Sequence, residues 1–186
     1  MIVSNHCRFV YIATPRTGSL STCNWLKNPC FGGEEVNEDH HSLPVDIDYL
    51  ETEGFYLFTT VRNPYTRAQS LFAWAMKQHK ALYPNLPEMG WIEFLEWLVE
   101  ELPSYDDPNR VMFLPQHEFL RGLGSSLHIF HFEEAPDSYL RLPFVGSIHD
   151  FPHVNKGMEP KPDLDERACQ LILAWAAPDF RLFGYE

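Results

Sequence analysis

RFVYIATPRTGSLST, residues 8–22, joins an apolar run directly to a turn that is rich in hydroxyl groups. The run Arg8–Ala13 is aromatic and β-branched, which predicts a short buried strand. Ser19–Leu26 predicts the start of the helix that follows, so Arg16 and Gly18 lie in the turn between the two elements. A strand–turn–helix unit presents main-chain N–H groups and the positive end of a helix dipole to an anion. The stretch therefore predicts an anion-binding loop in an α/β protein.

A second predicted strand ends in a similar way. Phe55–Val61 (FYLFTTV) is aromatic and β-branched, Arg62 follows it at once, and a helix begins at Pro64 and runs to about Leu82. Ser70 comes eight residues after Arg62 on that helix. A guanidinium and a hydroxyl at this spacing can converge on one phosphate. Two loops of this kind after two strands are the strongest indication of function in the chain.

The remaining elements complete an alternating α/β pattern. Leu127–Phe132 (LHIFHF) predicts a third strand, and apolar residues at helical spacing predict a helix over Trp91–Leu102 that Pro103 ends. Asp163 is the predicted N-cap of a last helix that runs through about Ala177. Strands that alternate with helices predict a mostly parallel sheet flanked by helices, with ligands at the carboxyl ends of the strands.

Length and composition restrict the class of protein and of partner. At 186 residues, with 45% hydrophobic and 15% aromatic residues, we expect one folded domain over residues 1–186. The formal net charge of -12 repels nucleic acid and anionic membranes, so an anion must be held by a local cluster. The four cysteines form no CxxC pair, and no apolar run reaches the length of ~18 residues that spans a membrane. We expect a cytoplasmic protein without a membrane span.

The two loops do not match the nucleotide triphosphatase pattern GxxxxGK[ST], which the chain lacks. PRTGSLST (15–22) followed by FTTVRNPYTRAQSLF (58–72) instead resembles the two cofactor loops of sulfotransferases that use 3′-phosphoadenosine-5′-phosphosulfate (PAPS). The similarity is to the carbohydrate 2-O-sulfotransferases and their short bacterial or viral members. Four further segments resemble this family in the same order: PQHEFL (115–120), HFEE (131–134), HVNKG (153–157) and DFRLFGYE (179–186). The resemblance implies a P-loop-like sulfotransferase fold.

The resemblance also implies roles for individual residues. Arg16 stands in the place of the family's loop lysine, which contacts the oxygen bridging sulfate and 5′-phosphate and so takes part in catalysis. The 5′-phosphosulfate would be cradled by Thr17, Gly18, Ser19, Ser21 and Thr22. Arg62 and Ser70 would hold the 3′-phosphate, and Lys156 would add a phosphate contact from a late loop. Arg16 keeps the lysine's charge with a different donor geometry, and Leu20 stands where the family usually has Thr.

The implied reaction is an in-line transfer of a sulfuryl group to an acceptor hydroxyl. Charge grows on the leaving phosphate oxygen, and protein cations can neutralise it, so no metal is expected. NEDHHSLP (37–44) resembles the region that holds the family's catalytic histidine. His41 is the better match for the base, His40 is the alternative, and Glu133 or Glu134 could also serve.

Two other functions remain open at this point. A nucleotide kinase-like P-loop enzyme could use the same kind of sheet, although the missing GK[ST] speaks against it. A catalytically silent nucleotide-binding module of the same fold is the other alternative, because Arg16 and Leu20 depart from the family pattern. For an enzyme with this acidic surface we expect the acceptor to be a neutral glycan, a lipid-linked sugar or a small hydroxylated metabolite rather than a highly anionic polymer.

Overall fold

The computed structural model describes residues 1–36, 53–78, 89–100, 111–123, 126–154 and 161–186. The chain divides into two compact units. The first consists of Met1–Arg62 and Glu118–Asn155, and the second of Asn63–His117 and Lys156–Glu186. One domain over residues 1–186 stays a prediction.

The first unit has an α/β fold, and its β-sheet contains five strands among the described residues. The strands are β1 (Ile2–Ser4), β2 (Phe9–Ile12), β3 (Glu34–Glu35), β4 (Tyr56–Val61) and β5 (His128–His131). Their order in the sheet is β3-β1-β2-β4-β5. β4 lies between β2 and β5 and is parallel to both. The three strands predicted from the sequence are confirmed, and they form the parallel core of the sheet.

The sheet as a whole is mixed, so the expectation of a mostly parallel sheet is confirmed for its core, β2-β4-β5, and does not extend to β1. β1 pairs antiparallel with β2 on one side and with β3 on the other. The connection from β1 to β2 is a turn of four residues, 5–8, which is too short for the crossover that a parallel pair needs. Strands of three and two residues carry no periodic pattern, which is why the sequence did not reveal β1 and β3.

The central strand of the first unit is buried on both faces. Phe9 and Tyr11 of β2 pack with Phe58 in one apolar cluster, while Val10 and Ile12 pack in another. This double burial explains why the strand reads as a continuous apolar run. Helix α1 (Ser19–Leu26) follows β2 over the predicted range.

The second unit contains three α-helices among its described residues: α2 (Pro64–Gln78), α3 (Trp91–Glu100) and α4 (Glu166–Phe183). Pro64 begins α2 as predicted, and the Asn63 side chain accepts a hydrogen bond from the Tyr65 amide at 2.9 Å. Leu71, Phe94 and Ile172 represent the buried core that the helices share. The predicted ends near Leu82 and Leu102 lie outside the described residues.

The last helix differs from its prediction at both ends. Its N-cap is Asp165 rather than Asp163: the Asp165 carboxylate accepts a hydrogen bond from the Ala168 amide at 2.8 Å. At Ala176 the backbone is not helical, and Pro178 stands in the first turn of a second helical segment that runs to Phe183. Proline is compatible with a first turn, because the amide it lacks would have no partner there.

Candidate functional site

Three neighbouring parallel strands of the first unit end at the same edge of the sheet. Ile12 of β2 is in register with Thr59 of β4, and Val61 of β4 with His131 of β5. The segments that follow these strands therefore start close together: the turn 13–18 after β2, Arg62 after β4 and Phe132 after β5. This edge is the carboxyl end of the parallel core, where ligands bind in sheets of this kind.

The turn after β2 is held in shape by buried hydroxyl groups. Thr14 Oγ1 donates to the carbonyl of Thr60 at 2.7 Å, which fixes the turn to the neighbouring strand β4. Thr17 Oγ1 donates to the Thr14 carbonyl at 2.9 Å and so closes the turn on itself. Arg16 has a φ of 65°, a left-handed conformation that costs free energy for a residue with a side chain. Such strain is stored where a local structure determines it, often at a ligand site.

Arg62 connects two of these segments. Its Nη1 donates a hydrogen bond to the main-chain carbonyl of Arg16 at 3.2 Å. Its guanidinium carbon also lies 4.5 Å from the centre of the Phe132 ring, within the range of a cation–π interaction. The structure thus brings Arg16 and Arg62, which were predicted from separate motifs, to one edge of the sheet.

The third segment approaches the turn at Gly18. Gly18 has a φ of 76°, and a Cβ atom at this position would lie 2.7 Å from the Phe132 ring. Real Cβ atoms essentially never show so short a contact, so the ring and the turn fit together only with glycine at position 18. Phe132 therefore packs against both loops that the sequence analysis identified.

The charges at this edge favour an anion. Burial lowers the pKa of the Arg16 guanidinium, which stays a cation near neutral pH because its ordinary pKa is so high. Gly18 is the N-cap of α1, and among the residues described no side chain caps this helix end. The first-turn N–H groups and the helix dipole are thus available to a ligand. Ser19, the first residue of α1, is buried and adds a hydroxyl group at this helix end.

Other predicted hydroxyls are engaged inside the protein. Thr17 closes the turn, and Ser21 Oγ accepts a hydrogen bond from the Val154 amide at 3.0 Å. Thr22 Oγ1 lies 2.9 Å from the buried hydroxyl of Tyr139. The side chains of Thr17 and Thr22 therefore support the loop, and the main-chain N–H of Thr22 donates to the Gly18 carbonyl at 3.2 Å. Ser21 only accepts in its hydrogen bond with Val154, so its hydroxyl proton can still be donated to an anion.

A buried hydroxyl network, which sequence reasoning missed, links α1 to β4. The Tyr139 hydroxyl forms hydrogen bonds with Thr22 Oγ1 at 2.9 Å and with Thr60 Oγ1 at 2.7 Å, and Tyr11 donates to Thr60 at 3.4 Å. Burial raises the pKa of Tyr11 and of Tyr139, so both stay neutral donors. The polar residues of FTTV in an otherwise apolar strand were the available signal.

Several predicted site residues cannot be placed at this edge. His40, His41 and Lys156 lie outside the described residues. The Val154 amide, two residues before Lys156, is the last described point of its loop and is bonded to α1. Ser70 is a half-buried residue of α2 in the second unit, and its convergence with Arg62 stays a prediction.

The alternative acid–base candidates have ordinary surface positions. Glu133 and Glu134 are exposed, and Glu134 forms an ion pair with Arg141 at 3.1 Å. In the second unit, His117 is oriented by the fully buried Asp179, whose Oδ1 accepts from Nδ1 of the ring at 2.8 Å and from the His117 amide at 2.9 Å. Sequence reasoning did not identify this pair.

Comparison of the chain with protein-family models, with curated proteins and with solved structures found no match. Over the described part of the chain, no helix is both long enough and apolar enough to cross a membrane. A search of that same part found no group of three His, Cys, Asp or Glu residues that could hold a metal ion.

Proposed function

We propose that this chain is a PAPS-dependent sulfotransferase with the P-loop-like fold of that family, and that it moves a sulfuryl group to an acceptor hydroxyl. The hydrogen bond from Arg62 to the Arg16 carbonyl is the observation that carries the proposal. It brings the residue matched to 3′-phosphate binding next to the residue matched to 5′-phosphosulfate binding. An isolated phosphate site would need only one of the two arginines.

The donor set suits a ligand with anionic groups at two positions. Arg16, the first-turn N–H groups of α1 and the Ser19 hydroxyl form one group of donors. Arg62 is the second, on the neighbouring strand end. Guanidinium groups and helix N-termini are the donors that phosphate and sulfate oxygens prefer. Since the net charge is -12, repulsion from the rest of the surface makes such a local cluster necessary.

The chain's own residues have separate tasks in the proposed reaction. PAPS, when bound, supplies an activated sulfuryl group. Arg16 and the N-terminus of α1 stabilise the negative charge that develops on the 5′-phosphate side. Arg62, with Ser70, binds the 3′-phosphate and orients the nucleotide. His41 takes the proton from the acceptor hydroxyl, with His40, Glu133 and Glu134 as the alternatives.

The acceptor that fits the charge of the protein is a hydroxyl compound without a high negative charge. A highly sulfated or carboxylated polymer would be repelled at long range by a protein of net charge -12. A neutral glycan, a lipid-linked sugar or a small hydroxylated metabolite would approach without this barrier. A panel of such acceptors, incubated with PAPS carrying labelled sulfate, identifies the substrate class directly.

Calorimetry with adenosine 3′,5′-bisphosphate and with ADP tests the cofactor assignment. Both ligands have two phosphates, but only the first has a 3′-phosphate. We expect the wild-type protein to prefer the 3′,5′-bisphosphate and the Arg62→Ala variant to lose that preference. Equal affinity for the two ligands in the wild type, or turnover of ATP with magnesium, would reject the sulfotransferase and favour a kinase-like enzyme.

Arg8 provides a matched control for Arg62. Its guanidinium also lies over an aromatic ring, that of Phe55 at 4.6 Å, and also donates to a main-chain carbonyl, that of Glu53. Arg8 precedes β2, however, and so lies at the opposite end of the strand. Arg8→Ala should leave the nucleotide preference unchanged. The His41→Ala variant should bind the nucleotide normally and fail to transfer sulfate; normal turnover would place the base elsewhere.

A further inference from the structure

Phe132 contacts both predicted anion-binding loops, the turn 13–18 and the segment that starts at Arg62, although neither is near it in the sequence. It is the first residue after β5, the third strand of the parallel core. The face of its ring lies 4.5 Å from the guanidinium carbon of Arg62. Two carbons on the edge of the ring would lie 2.7 and 2.8 Å from a Cβ atom at position 18. The ring is only half-buried, so packing of the apolar core is not the whole reason for its position.

We propose that Phe132 is a positioning residue that sets the guanidinium of Arg62 at a fixed distance from the N-terminus of α1. In this role the ring selects ligands that carry two anionic groups at the matching separation, such as a nucleoside bisphosphate. The inference deepens the proposed function and rests on it for the identity of the ligand. The contacts that carry it are those of Phe132 with Arg62 and Gly18.

The long side chain of Arg62 can define a distance between two anionic groups only when contacts hold its guanidinium in place. Its rotamer freedom is large, and the hydrogen bond to the Arg16 carbonyl restrains the guanidinium at Nη1. A ring face against the guanidinium adds a second, planar restraint and leaves the outer N–H groups directed away from the ring. The edge of the same ring contacts the turn at Gly18, where α1 begins. The ring therefore holds Arg62 in a set position relative to the helix that binds the other anionic group.

A ligand with one phosphate and a ligand with two should respond differently to a loss of the ring. The 5′-phosphate side uses Arg16 and the start of α1, in a turn that the hydrogen bonds of Thr14 and Thr17 also hold. Phe132→Leu keeps an apolar side chain of similar size but removes the aromatic face. It should weaken binding of adenosine 3′,5′-bisphosphate roughly tenfold and leave binding of AMP within about twofold. Phe132→Tyr keeps the ring and should behave like the wild type.

Chemical labelling of arginine tests the positioning without any nucleotide. Phenylglyoxal reacts with accessible guanidinium groups, and peptide mass spectrometry gives the rate at each arginine. In Phe132→Leu, labelling of Arg62 should rise about fivefold, while labelling of Arg8, over its own ring of Phe55, stays constant. Phe132→Tyr should protect Arg62 as well as the wild type does.

Two measurements together separate the inference from the proposed function. Thermal unfolding first verifies that each variant is folded, and Phe132→Met, which also lacks the aromatic face, replaces Phe132→Leu should the leucine variant unfold. Unchanged Arg62 labelling in the folded leucine variant overturns the positioning role, whatever happens to nucleotide affinity. Faster labelling of Arg62 in Phe132→Tyr than in the wild type overturns the positioning role as well. Equal wild-type affinity for AMP and the 3′,5′-bisphosphate overturns the proposed ligand, while the labelling still decides whether Phe132 holds Arg62.

Discussion

The guanidinium of Arg62 donates a hydrogen bond to the main-chain carbonyl of Arg16 across two neighbouring strand ends, at 3.2 Å. The chain has 14 Lys and Arg residues and 26 Asp and Glu residues, so two arginines at one edge of the sheet form a local positive cluster in an acidic protein. Burial lowers the pKa of Arg16, because the loss of solvent disfavours its charged guanidinium. An anion bound at this edge would offset the desolvation of Arg16, and this is the physical basis of the proposed site.

The contact between Gly18 and Phe132 predicts an unusually large cost for Gly18→Ala. Gly18 has a φ of 76°, and the new Cβ would also meet the Phe132 ring at 2.7 Å. We expect the free energy of unfolding to fall by about 3 kcal/mol, about 1 from the backbone and the rest from the contact. Urea unfolding measures the loss.

Gly54→Ala is the matched control for this experiment. Gly54 has a nearly identical φ of 74°, but a Cβ there would meet no described atom within 4 Å. It should cost only the backbone term of about 1 kcal/mol. Equal losses at the two positions would contradict the close approach of Phe132 to the turn at Gly18.

The buried hydroxyl of Tyr139 predicts a specific loss of stability in Tyr139→Phe. The hydroxyl bonds to Thr22 at 2.9 Å and to Thr60 at 2.7 Å, so its removal leaves two buried groups without their main partner. We expect a loss of about 2 kcal/mol in the free energy of unfolding. Tyr56→Phe, at a half-buried ring stacked on His128, should change it by less than about 0.5 kcal/mol.

A double-mutant cycle tests how much of the stability lost in Tyr139→Phe comes from the hydrogen bond between Tyr139 and Thr22 of α1. Thr22→Val removes the hydroxyl of Thr22 and nearly keeps its volume. The double variant with Tyr139→Phe should lose less than the sum of the single losses, with a coupling of about 1 kcal/mol. Strict additivity would show that Thr22 and Tyr139 do not interact.

In the second unit, the carboxylate of Asp179 predicts a large effect of Asp179→Asn. It is fully buried and accepts hydrogen bonds from the amide of Gln116 at 2.7 Å and from the amide and ring of His117. The side chain of asparagine has one oxygen where aspartate has two, so its NH2 group would face at least one of these donors. We expect a loss of about 3 kcal/mol in the free energy of unfolding by urea.

Asp165→Asn is the control for this change of side chain. Asp165 caps α4 through the Ala168 amide, and asparagine caps helices about as well as aspartate does. The loss there should stay below about 0.5 kcal/mol. A similar loss at Asp165 and Asp179 would mean that the buried hydrogen bonds of Asp179 contribute little.

The sequence predicted those parts of the fold whose signal is local. β2, β4 and α1 were identified because continuous apolar runs meet turn residues there, and two adjacent parallel strands then follow from the alternation with helices. β1 and β3 were missed because pairing with β2, rather than their own residues, makes them strands. The N-cap was placed at Asp163 instead of Asp165 because both aspartates precede the same apolar pattern.

The candidate site was predictable only where one motif contains the whole signal. Arg16, Gly18 and Arg62 stand in recognisable loops, so their type and position indicated anion binding. Phe132 could not be identified in this way, because its contacts with Gly18 and Arg62 join segments that are distant in the sequence. The same holds for the hydroxyl of Thr22, which in sequence looks like a ligand group and in the structure bonds to Tyr139.

Cys23, on the buried side of α1, predicts that the stability of the protein falls at alkaline pH. Burial raises the pKa of its thiol from the ordinary value of 9.0 to about 12. The native protein thus holds this proton more tightly than the unfolded chain does. The resulting contribution to stability is complete below pH 9 and is lost as the pH rises toward 12, at about 1.4 kcal/mol per pH unit.

Substitution of Cys23 separates its contribution from that of the buried tyrosines, Tyr11 and Tyr139, whose pKa values burial also raises. Urea unfolding at pH 8, 9 and 10 (roughly the window in which the thiol of the unfolded chain ionises) should show a slope in Cys23→Ala that is shallower by up to about 1.4 kcal/mol per pH unit. Cys30→Ala, at an exposed thiol, should keep the wild-type slope. If Cys23→Ala keeps that slope too, the thiol of Cys23 ionises as easily in the folded protein as in the unfolded chain, and α1 does not bury it.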